Sequence, residues 1–297
     1  MKNFLTITLI LVIVAGAIYA FRGTEPQRTP TSPKLQIAAS FYPLAYFAER
    51  IGGVRVVVTT ITPAGVEPHE YELTPKDVAT VEGSRLLLLN GTGFETWEDK
   101  VPRGSGTHRT EIVKVSDGLT EKSDPHIWLS PPLADRMVDN IEAGIKKLDP
   151  ENADFYAQNA ALLKADLVEL DLDYRSGLSH CRLNTIVTSH SAFGYLSEAY
   201  GLVQIPIVGI SPEAEPSAKE LAAVATIART KHIKYIFFET LVSPKLAETV
   251  AREIGAQTLV LSPIEGLTTE EIQTGKDYFT EMRSNLSHLQ TALECKK

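Results

Sequence analysis

Short apolar runs rich in β-branched residues alternate along the chain with segments of mixed polarity that suit amphipathic helices. Four such runs lie in the first half, at residues 35–40, 54–60, 85–90 and 112–115. Four more lie in the second half, at residues 184–188, 205–208, 235–238 and 258–261. Continuous apolar runs are typical of strands covered on both faces, and strands that alternate with helices form βαβ units. The pattern therefore predicts an α/β protein with mostly parallel sheets in two lobes.

Residues 149–180, between the two halves, predict one long connecting helix. Apolar residues recur there at helical spacing, at Phe155, Leu162, Leu163, Leu167, Leu170 and Tyr174, and neither Gly nor Pro interrupts them before Gly177. A helix of about 26 residues is about 39 Å long, which is the width of a domain. We therefore expect a rigid helix that joins an N-terminal α/β lobe, residues 35–148, to a C-terminal α/β lobe, residues 181–297.

The chain begins with an apolar run at residues 4–21, with Lys2 before it and Arg22 after it. This pattern is that of a secretory signal peptide, and its 18 residues also reach the lower limit of a membrane span. Residues 1–21 are therefore interpreted as either a signal peptide or a membrane anchor. Residues 22–34, with three prolines, are interpreted as a Pro/Thr-rich linker. No Cys follows the run directly, so we do not expect lipid attachment there. The rest of the chain is expected to work outside the cytoplasmic membrane, in the periplasm or at the cell surface.

Charge and cysteine content exclude several classes of protein. The chain of 297 residues has 29 basic and 37 acidic side chains, a net charge of −8, and no block of Lys or Arg. It therefore lacks the positive surface that nucleic acid requires. Two cysteines are too few for a disulfide-dense scaffold or for a zinc site of four thiolates.

Three histidines and one carboxylate lie where ligands of α/β sheets gather, outside the carboxyl ends of the strands. His69, His190 and Glu265 follow predicted strands, and His126 lies in the connection that precedes the last helix of the first lobe. Four N and O ligands that converge on a cleft would form a closed tetrahedral site for a divalent cation. Each loop histidine would also suit the surface or a helix cap, and Glu265 would also suit a solvated turn. The other histidines have charged or polar neighbours and are interpreted as solvated: His108, His180, His232 and His288.

Six segments resemble the metal-binding receptors of bacterial zinc and manganese ABC importers, and they occur in matching order from about residue 35 to 295. They are GVEPHEYELTP (65–75), DPHIWLSP (124–131), TSHSAFGYL (188–196), GISPEAEPS (209–217), FFETLVSPKLAETVARE (237–253) and SPIEGLT (262–268). The resemblance implies two (β/α) lobes joined by one long rigid α-helix, with the metal in the cleft between the lobes.

The resemblance also implies the ligands and the cargo. It makes His69, His126 and His190 three metal ligands and Glu265 the fourth, whereas related importers place Asp at the position of Ser262. Three imidazoles and one carboxylate suit zinc, while the manganese receptors that resemble this protein carry two histidines and two carboxylates. The expected cargo is therefore Zn²⁺ rather than Mn²⁺. Many zinc receptors carry a His-rich loop between their first two ligands, and this chain has none.

Two carboxylates and the two cysteines receive accessory roles. Glu67 is a weaker candidate for a ligand or a gate, and Glu239 is expected to support the site or the fold. Cys181 and Cys295 are expected to form a disulfide, because an even pair in an oxidising compartment pairs and because the resembling subgroup often has Cys at both places.

The function implied is that of an extracytoplasmic receptor, a monomer that delivers its metal to the membrane permease of an ABC importer and catalyses no reaction. A tether through residues 4–21 is an open possibility. The alternatives are a manganese-type receptor, a metal-dependent adhesin and, less favoured, a zinc hydrolase with Glu265 as its base. The sequence contains no HExxH, GxSxG or P-loop motif to support the hydrolase.

Overall fold

Each half of the chain forms one four-stranded sheet in the computed structural model, which describes residues 33–101, 109–120 and 122–296. The first sheet has the order β2-β1-β3-β4, with β1 Leu35–Ala39, β2 Val56–Thr60, β3 Leu86–Leu89 and β4 Glu111–Lys114. The second has the order β6-β5-β7-β8, with β5 Thr185–Thr188, β6 Val203–Pro206, β7 Tyr235–Phe238 and β8 Gln257–Val260. All neighbouring strands run parallel. The predicted α/β fold with two parallel sheets is therefore confirmed.

Helices connect the strands, as βαβ units require. Those of the first half are α1 Tyr42–Gly52, α2 Pro75–Gly83 and α3 Pro131–Leu148. The long helix α4 follows at Ala153–Leu178. Those of the second half are α5 Gly194–Tyr200, α6 Ala218–Thr230, α7 Lys245–Ile254, α8 Thr269–Gln273 and α9 Tyr278–Ala292.

The strand predicted at residues 205–208 begins two residues earlier, at Val203. Val203 pairs with Thr185 although its side chain is 48% exposed, because β6 lies at the edge of its sheet. Ile207 and Val208 are buried but lie beyond the strand. Both still donate backbone hydrogen bonds to the β5 segment, Ile207 to Thr188 at 2.8 Å and Val208 to Ser189 at 2.9 Å, so the apolar run marks the buried part of this edge and misses its exposed start.

The long helix α4 has 26 residues, as the spacing predicts, and packs against α1, α3 and α9. The buried face consists of Tyr156, Ala160, Leu163, Leu167, Leu170, Tyr174 and Leu178. Leu162 also belongs to the predicted apolar pattern, but it is 65% exposed. Its neighbour Leu163 occupies the buried face, and successive residues of a helix point about 100° apart. The helix is therefore held along one side by elements from both ends of the chain.

The apolar run at residues 4–21 and most of the predicted linker lie outside the described residues. Within residues 33–101, 109–120 and 122–296, no helix combines the length and the apolarity needed to cross a membrane.

A disulfide between Cys181 and Cys295 confirms the predicted pairing and closes a sequence separation of 114 residues. The two cysteines also pair as an isolated antiparallel bridge, and the N–H of Lys296 donates to the carbonyl of His180 at 3.1 Å. The bond therefore fastens the segment after α9 to the segment that leads from α4 into β5.

Replacing both cysteines, Cys181→Ser with Cys295→Ser, is expected to lower the free energy of unfolding by about 4–5 kcal/mol, because a loop of this length is no longer closed in the unfolded chain. The melting temperature should fall by on the order of 10 °C. Thermal and urea unfolding of the variant and of the wild type, each with and without reductant, measure this. Coincident curves for oxidised wild type and variant would contradict the stabilising role.

Candidate metal centre

Four buried side chains, those of His69, His126, His190 and Glu265, converge at one point, with one ligand-type atom from each lying within 4.8 Å of the others. The Nε2 atom of His126 lies 3.2 Å from Nε2 of His69 and 3.3 Å from Nε2 of His190. Oε1 of Glu265 lies 3.1 Å from Nε2 of His69, 3.1 Å from Nε2 of His126 and 3.5 Å from Nε2 of His190. The structure thus brings together the four residues that the sequence marks as ligands.

These separations match the edge lengths of a small coordination tetrahedron. Bonds of about 2.0–2.1 Å from a zinc ion to N and O ligands place neighbouring ligand atoms roughly 3.3–3.4 Å apart in tetrahedral geometry. Five of the six separations among the four atoms run from 3.1 to 3.5 Å, and all four atoms lie within 4.8 Å of one another. Calcium takes six to eight oxygen ligands at about 2.3–2.6 Å, so this group does not fit it. The arrangement could hold a divalent ion of the size of zinc without moving a side chain far.

The topology explains why the four residues meet. In each sheet the strands are parallel, so the connections that leave their carboxyl ends lie along one edge. His69 lies between β2 and α2, and His126 lies between β4 and α3. His190 follows β5 directly, and Glu265 follows β8. The first lobe therefore supplies two imidazoles, and the second supplies the third imidazole and the carboxylate.

Asp124 fixes the ring of His126. Its Oδ1 accepts hydrogen bonds from the backbone N–H of His126 at 3.0 Å and from Nδ1 at 2.7 Å. The side-chain amide of Asn90, at the end of β3, donates to the carbonyl of Pro125 at 2.9 Å. With Nδ1 carrying a proton toward Asp124, Nε2 faces the other three ligand atoms.

Glu239 fixes the ring of His190 in the way that Asp124 fixes that of His126. Both carboxylate oxygens lie 2.8 Å from Nδ1 of His190, and Oε1 also accepts from the backbone N–H of His190 at 3.2 Å. The carbonyl of His190 accepts from the hydroxyl of Thr188 at 2.8 Å and from the amide of Gln204 at 3.0 Å. Backbone and ring of this histidine are therefore both held from the second lobe.

The carboxylates shift the pKa values of the imidazoles in the metal-free pocket. Burial alone lowers the pKa of His190, but the hydrogen bonds to Glu239 and Glu265 outweigh it and raise the pKa to about 10. Burial likewise opposes protonation of His126, while the hydrogen bonds to Asp124 and Glu265 raise its pKa. Burial would raise the pKa of Glu265, but hydrogen bonds from the three imidazoles hold it well below its usual value. The pocket thus favours an ionised Glu265 carboxylate together with a protonated His190.

The two accessory carboxylates lie on different sides of the site. Glu239 is buried behind His190, away from the other ligand atoms. Glu67 does not belong to the group of four converging residues. Its carboxylate accepts hydrogen bonds from the backbone N–H of His69 at 3.1 Å and from that of Glu70 at 3.4 Å. Burial, followed by the charge of Glu265, raises the pKa of Glu67.

Of the other histidines, the three that the structure describes lie outside the group of four, and one of them differs from expectation. His180 and His232 are exposed, as predicted, and His108 lies outside the described residues. His288, predicted to be solvated, is half-buried, and its Nδ1 lies 2.8 Å from the carbonyl oxygen of Val260. His288 therefore faces the end of β8 from helix α9. The polar residues next to it in the sequence give no indication of this contact.

Sequence reasoning assigned no role to Asp124. Its position two residues before a histidine, in the segment Asp-Pro-His, allows one side chain to reach both the backbone N–H and the ring of that histidine. Glu67 stands in the same relation to His69, although it reaches only the backbone N–H. The sequence shows this two-residue spacing, but carboxylates stand two residues from a histidine too often for the spacing alone to indicate a hydrogen bond.

The family model described as zinc-uptake complex component A, periplasmic, matches residues 37–292. The chain is 38% identical over 280 residues to the high-affinity zinc uptake system protein ZnuA of Bacillus subtilis, which covers 88% of each protein. It is 34% identical over 310 residues to the zinc-binding protein AdcA of Streptococcus pyogenes, which covers 95% of this chain and 60% of that protein. The chain thus spans less than two thirds of the length of AdcA.

Solved structures share the fold over most of the chain. The Zn(II)-bound ZnuA-like domain of Streptococcus pneumoniae AdcA has 35% identity and a TM-score of 0.78, covering 88% of this chain and 99% of that one. The laminin-binding protein of Streptococcus agalactiae, described as a bifunctional protein with adhesin and metal-transporting activity, has 31% identity and a TM-score of 0.80, covering 87% and 99%. These similarities confirm the family and the two-lobed fold that the six motifs predict.

Proposed function

This chain belongs to the family of periplasmic zinc-uptake complex A components, and from that premise we propose that it binds Zn²⁺ through His69, His126, His190 and Glu265. The loaded protein then delivers the ion to the membrane permease of an ABC importer. Members of this family are components of a zinc-uptake complex, and we propose that this one releases its cargo unchanged and catalyses no reaction.

The spacing of the four ligand atoms carries the proposal. Ligand atoms from four separate connections, in two sheets, lie within 4.8 Å of one another, and five of their six separations, at 3.1–3.5 Å, have the spacing of a zinc tetrahedron. A buried group of three imidazoles and one carboxylate has no packing purpose that apolar residues would not serve better, since burying polar groups is costly. A bound cation makes this burial favourable.

The ligand chemistry favours zinc over manganese. Imidazole nitrogens suit zinc, whereas manganese prefers carboxylate, carbonyl and water oxygens, usually in six-coordinate sites. Here three of the four converging atoms are imidazole nitrogens. Cu²⁺ and Ni²⁺ would also bind in the test tube, as the Irving–Williams order requires, so affinity alone does not identify the cargo.

We assign the nearby carboxylates to supporting roles. Asp124 and Glu239 hold the Nδ1 protons of His126 and His190, so that the Nε2 atoms present lone pairs to the metal. Glu67 holds the backbone of the His69 loop rather than the ion, because its carboxylate faces two backbone N–H groups.

We propose that the chain is divided into the segments that its sequence pattern predicts. Residues 1–21 serve as a signal peptide or as a membrane anchor, and residues 22–34 serve as a linker. Residues 35–148 and 181–297 are the two lobes, and residues 149–180 connect them. We propose a monomer that works outside the cytoplasmic membrane, in the periplasm or at the cell surface.

Two other functions make different use of the same site. An adhesin function is favoured by the similarity to the laminin-binding protein of Streptococcus agalactiae, whose description includes both adhesin and metal-transporting activity. A zinc hydrolase is disfavoured, because catalytic zinc keeps an open position beside three protein ligands, and here four converge. Binding of laminin by the zinc-loaded and the metal-free chain distinguishes the adhesin from a receptor alone.

Elemental analysis of protein purified without chelator tests the proposal, with zinc expected at one ion per chain. X-ray absorption at the zinc edge should then give three nitrogen ligands and one oxygen ligand at about 2.0–2.1 Å. Titration of the metal-free chain with Mn²⁺ is the matched comparison, and binding should be far weaker. A chain that gains no zinc, or a spectrum dominated by water ligands, would refute the assignment.

A further inference from the structure

Trp128 joins the two halves of the site. It lies in the short helical turn Ile127–Leu129, two residues after His126, and is fully buried. The indole Nε1–H donates to the carbonyl of Pro263 at 2.7 Å. Pro263 lies two residues before Glu265, so one hydrogen bond connects the ligand segment of the first lobe to that of the second.

The indole is held in one orientation. The carbonyl of Trp128 accepts from the hydroxyl of Tyr278, at the start of α9, at 2.6 Å. The Trp128 ring packs against Phe41 and Phe94, with centroids 4.7 and 5.4 Å away. Its centroid lies 5.2 Å from that of His126. Because the indole cannot turn, its N–H fixes the position of the carbonyl that accepts from it.

The turn that receives this hydrogen bond is strained. Ile264 has a φ of 54°, a left-handed conformation that is an outlier for a β-branched residue. Its N–H is tied to the hydroxyl of Ser262 at 3.1 Å. The side chain of Asn285 in turn accepts from the N–H of Ser262 at 2.9 Å and donates to its carbonyl at 2.7 Å.

Such strain persists only where the surroundings over-determine the backbone, and it clusters at ligand-binding segments. Asn285 fixes the start of the turn from within the second lobe. Trp128 fixes its middle from the first lobe. Glu265 follows Ile264 immediately, so both of these contacts lie within three residues of the carboxylate that faces His126.

We propose that Trp128 is a positioning residue for metal binding: its indole N–H holds the Pro263 carbonyl and so sets the place of the Glu265 carboxylate relative to His126. This inference rests on the proposed function, since it assumes that Glu265 and His126 bind one ion. The hydrogen bond joins the two ligand segments, so its loss displaces ligand atoms relative to each other.

Trp128→Phe tests the proposal, because it removes the N–H and keeps an aromatic ring. Trp97→Phe is the matched control: Trp97 is the other tryptophan of the chain, and it is buried in a separate cluster with Ala38 and Leu87. Zinc affinity, measured by competition with a chelating dye, is expected to fall about 10–100-fold in Trp128→Phe, as for other groups that orient metal ligands. It should change by less than about threefold in Trp97→Phe, the scale of an indirect effect.

A double-mutant cycle separates positioning from general damage to the fold. In the background of Glu265→Ala there is no carboxylate left to position, so Trp128→Phe should then cost less than about threefold in zinc affinity. The proposal is overturned if Trp128→Phe binds zinc as the wild type does, or if it costs the same with and without Glu265. Failure of wild type and Trp97→Phe alike to bind zinc would overturn the proposed function itself.

Tyr278→Phe carries the test if Trp128→Phe does not fold. It removes the hydroxyl that holds the Trp128 carbonyl, so the indole is still present but its backbone is no longer held by Tyr278. Zinc affinity should fall several-fold in wild type and not in the Glu265→Ala background. Unchanged affinity of Tyr278→Phe would overturn the proposal.

Discussion

His190→Ala is expected to weaken zinc binding by about 100–1,000-fold. Four-ligand zinc sites bind with apparent free energies of about 10–16 kcal/mol, roughly 2.5–4 kcal/mol for each ligand, and each 1.4 kcal/mol is tenfold in affinity. The truncation also leaves the buried carboxylate of Glu239 without the imidazole that it holds, so the free energy of unfolding of the variant should fall as well.

Competition with a chelator of known affinity measures this loss, and His180→Ala is the matched control. His180 is exposed and far from the converging atoms, so its replacement should leave zinc affinity unchanged. Circular dichroism of the metal-free proteins checks that both variants fold. Indistinguishable titration curves for His190→Ala and the wild type would rule His190 out as a ligand.

The strands and the ligands differ in how far the sequence predicts them. Leu86–Leu89 is recognisable as a strand because all four residues are apolar and all four are buried. The strand predicted at residues 205–208 is found at Val203–Pro206. The apolar pattern misses Val203, because a residue in an edge strand can pair through its backbone while its side chain is exposed. The four proposed ligands lie in connections that parallel strands direct to one edge of each sheet, which makes them candidates, but only the resemblance to zinc and manganese receptors distinguishes them from other loop residues.

The contacts that orient the ligands were not predictable in the same way. The sequence gives Glu239 a supporting role without a partner, and only the sheet brings its carboxylate against His190. The hydrogen bond from Trp128 to Pro263 spans 135 residues of sequence, and the left-handed backbone at Ile264 contradicts the preference of its own side chain. Contacts of this kind depend on how distant segments are placed in the fold, within a lobe for Glu239 and between the lobes for Trp128, and local residue patterns do not encode that placement.

Acidification from pH 8 to pH 5 is expected to release zinc with an affinity loss of at least about 1,000-fold, since one displaced proton per ion contributes about tenfold per pH unit. A ligating imidazole must be deprotonated at the nitrogen that binds. The carboxylates raise the pKa of His190 to about 10 and also raise that of His126. Zinc must therefore displace a proton from His190 throughout this range.

The metal-free fold should survive the same change of pH. An imidazole whose pKa is raised by folding stabilises the fold at low pH and loses that contribution only as the pH rises through the raised value. The carboxyl of Glu265, whose pKa is lowered, stabilises the fold above its unfolded value of about 4.5 and loses this only at lower pH. Neither contribution is lost between pH 8 and pH 5, so zinc leaves a folded protein.

Calorimetric titrations in buffers of different ionisation enthalpy count the protons released, and one or more per zinc is expected at pH 7. Circular dichroism at pH 5 should show the native spectrum, and zinc should rebind when the pH is returned to 8. An affinity that stays level from pH 8 to pH 5 would mean that the imidazoles bind no competing protons and that the ion lies elsewhere. Loss of zinc together with the native spectrum would identify acid unfolding instead. Release of a proton by each bound zinc already at pH 7 to 8 would show that the carboxylates that orient the imidazoles also raise their affinity for protons, because an imidazole with its ordinary pKa of about 6.5 would carry little proton there.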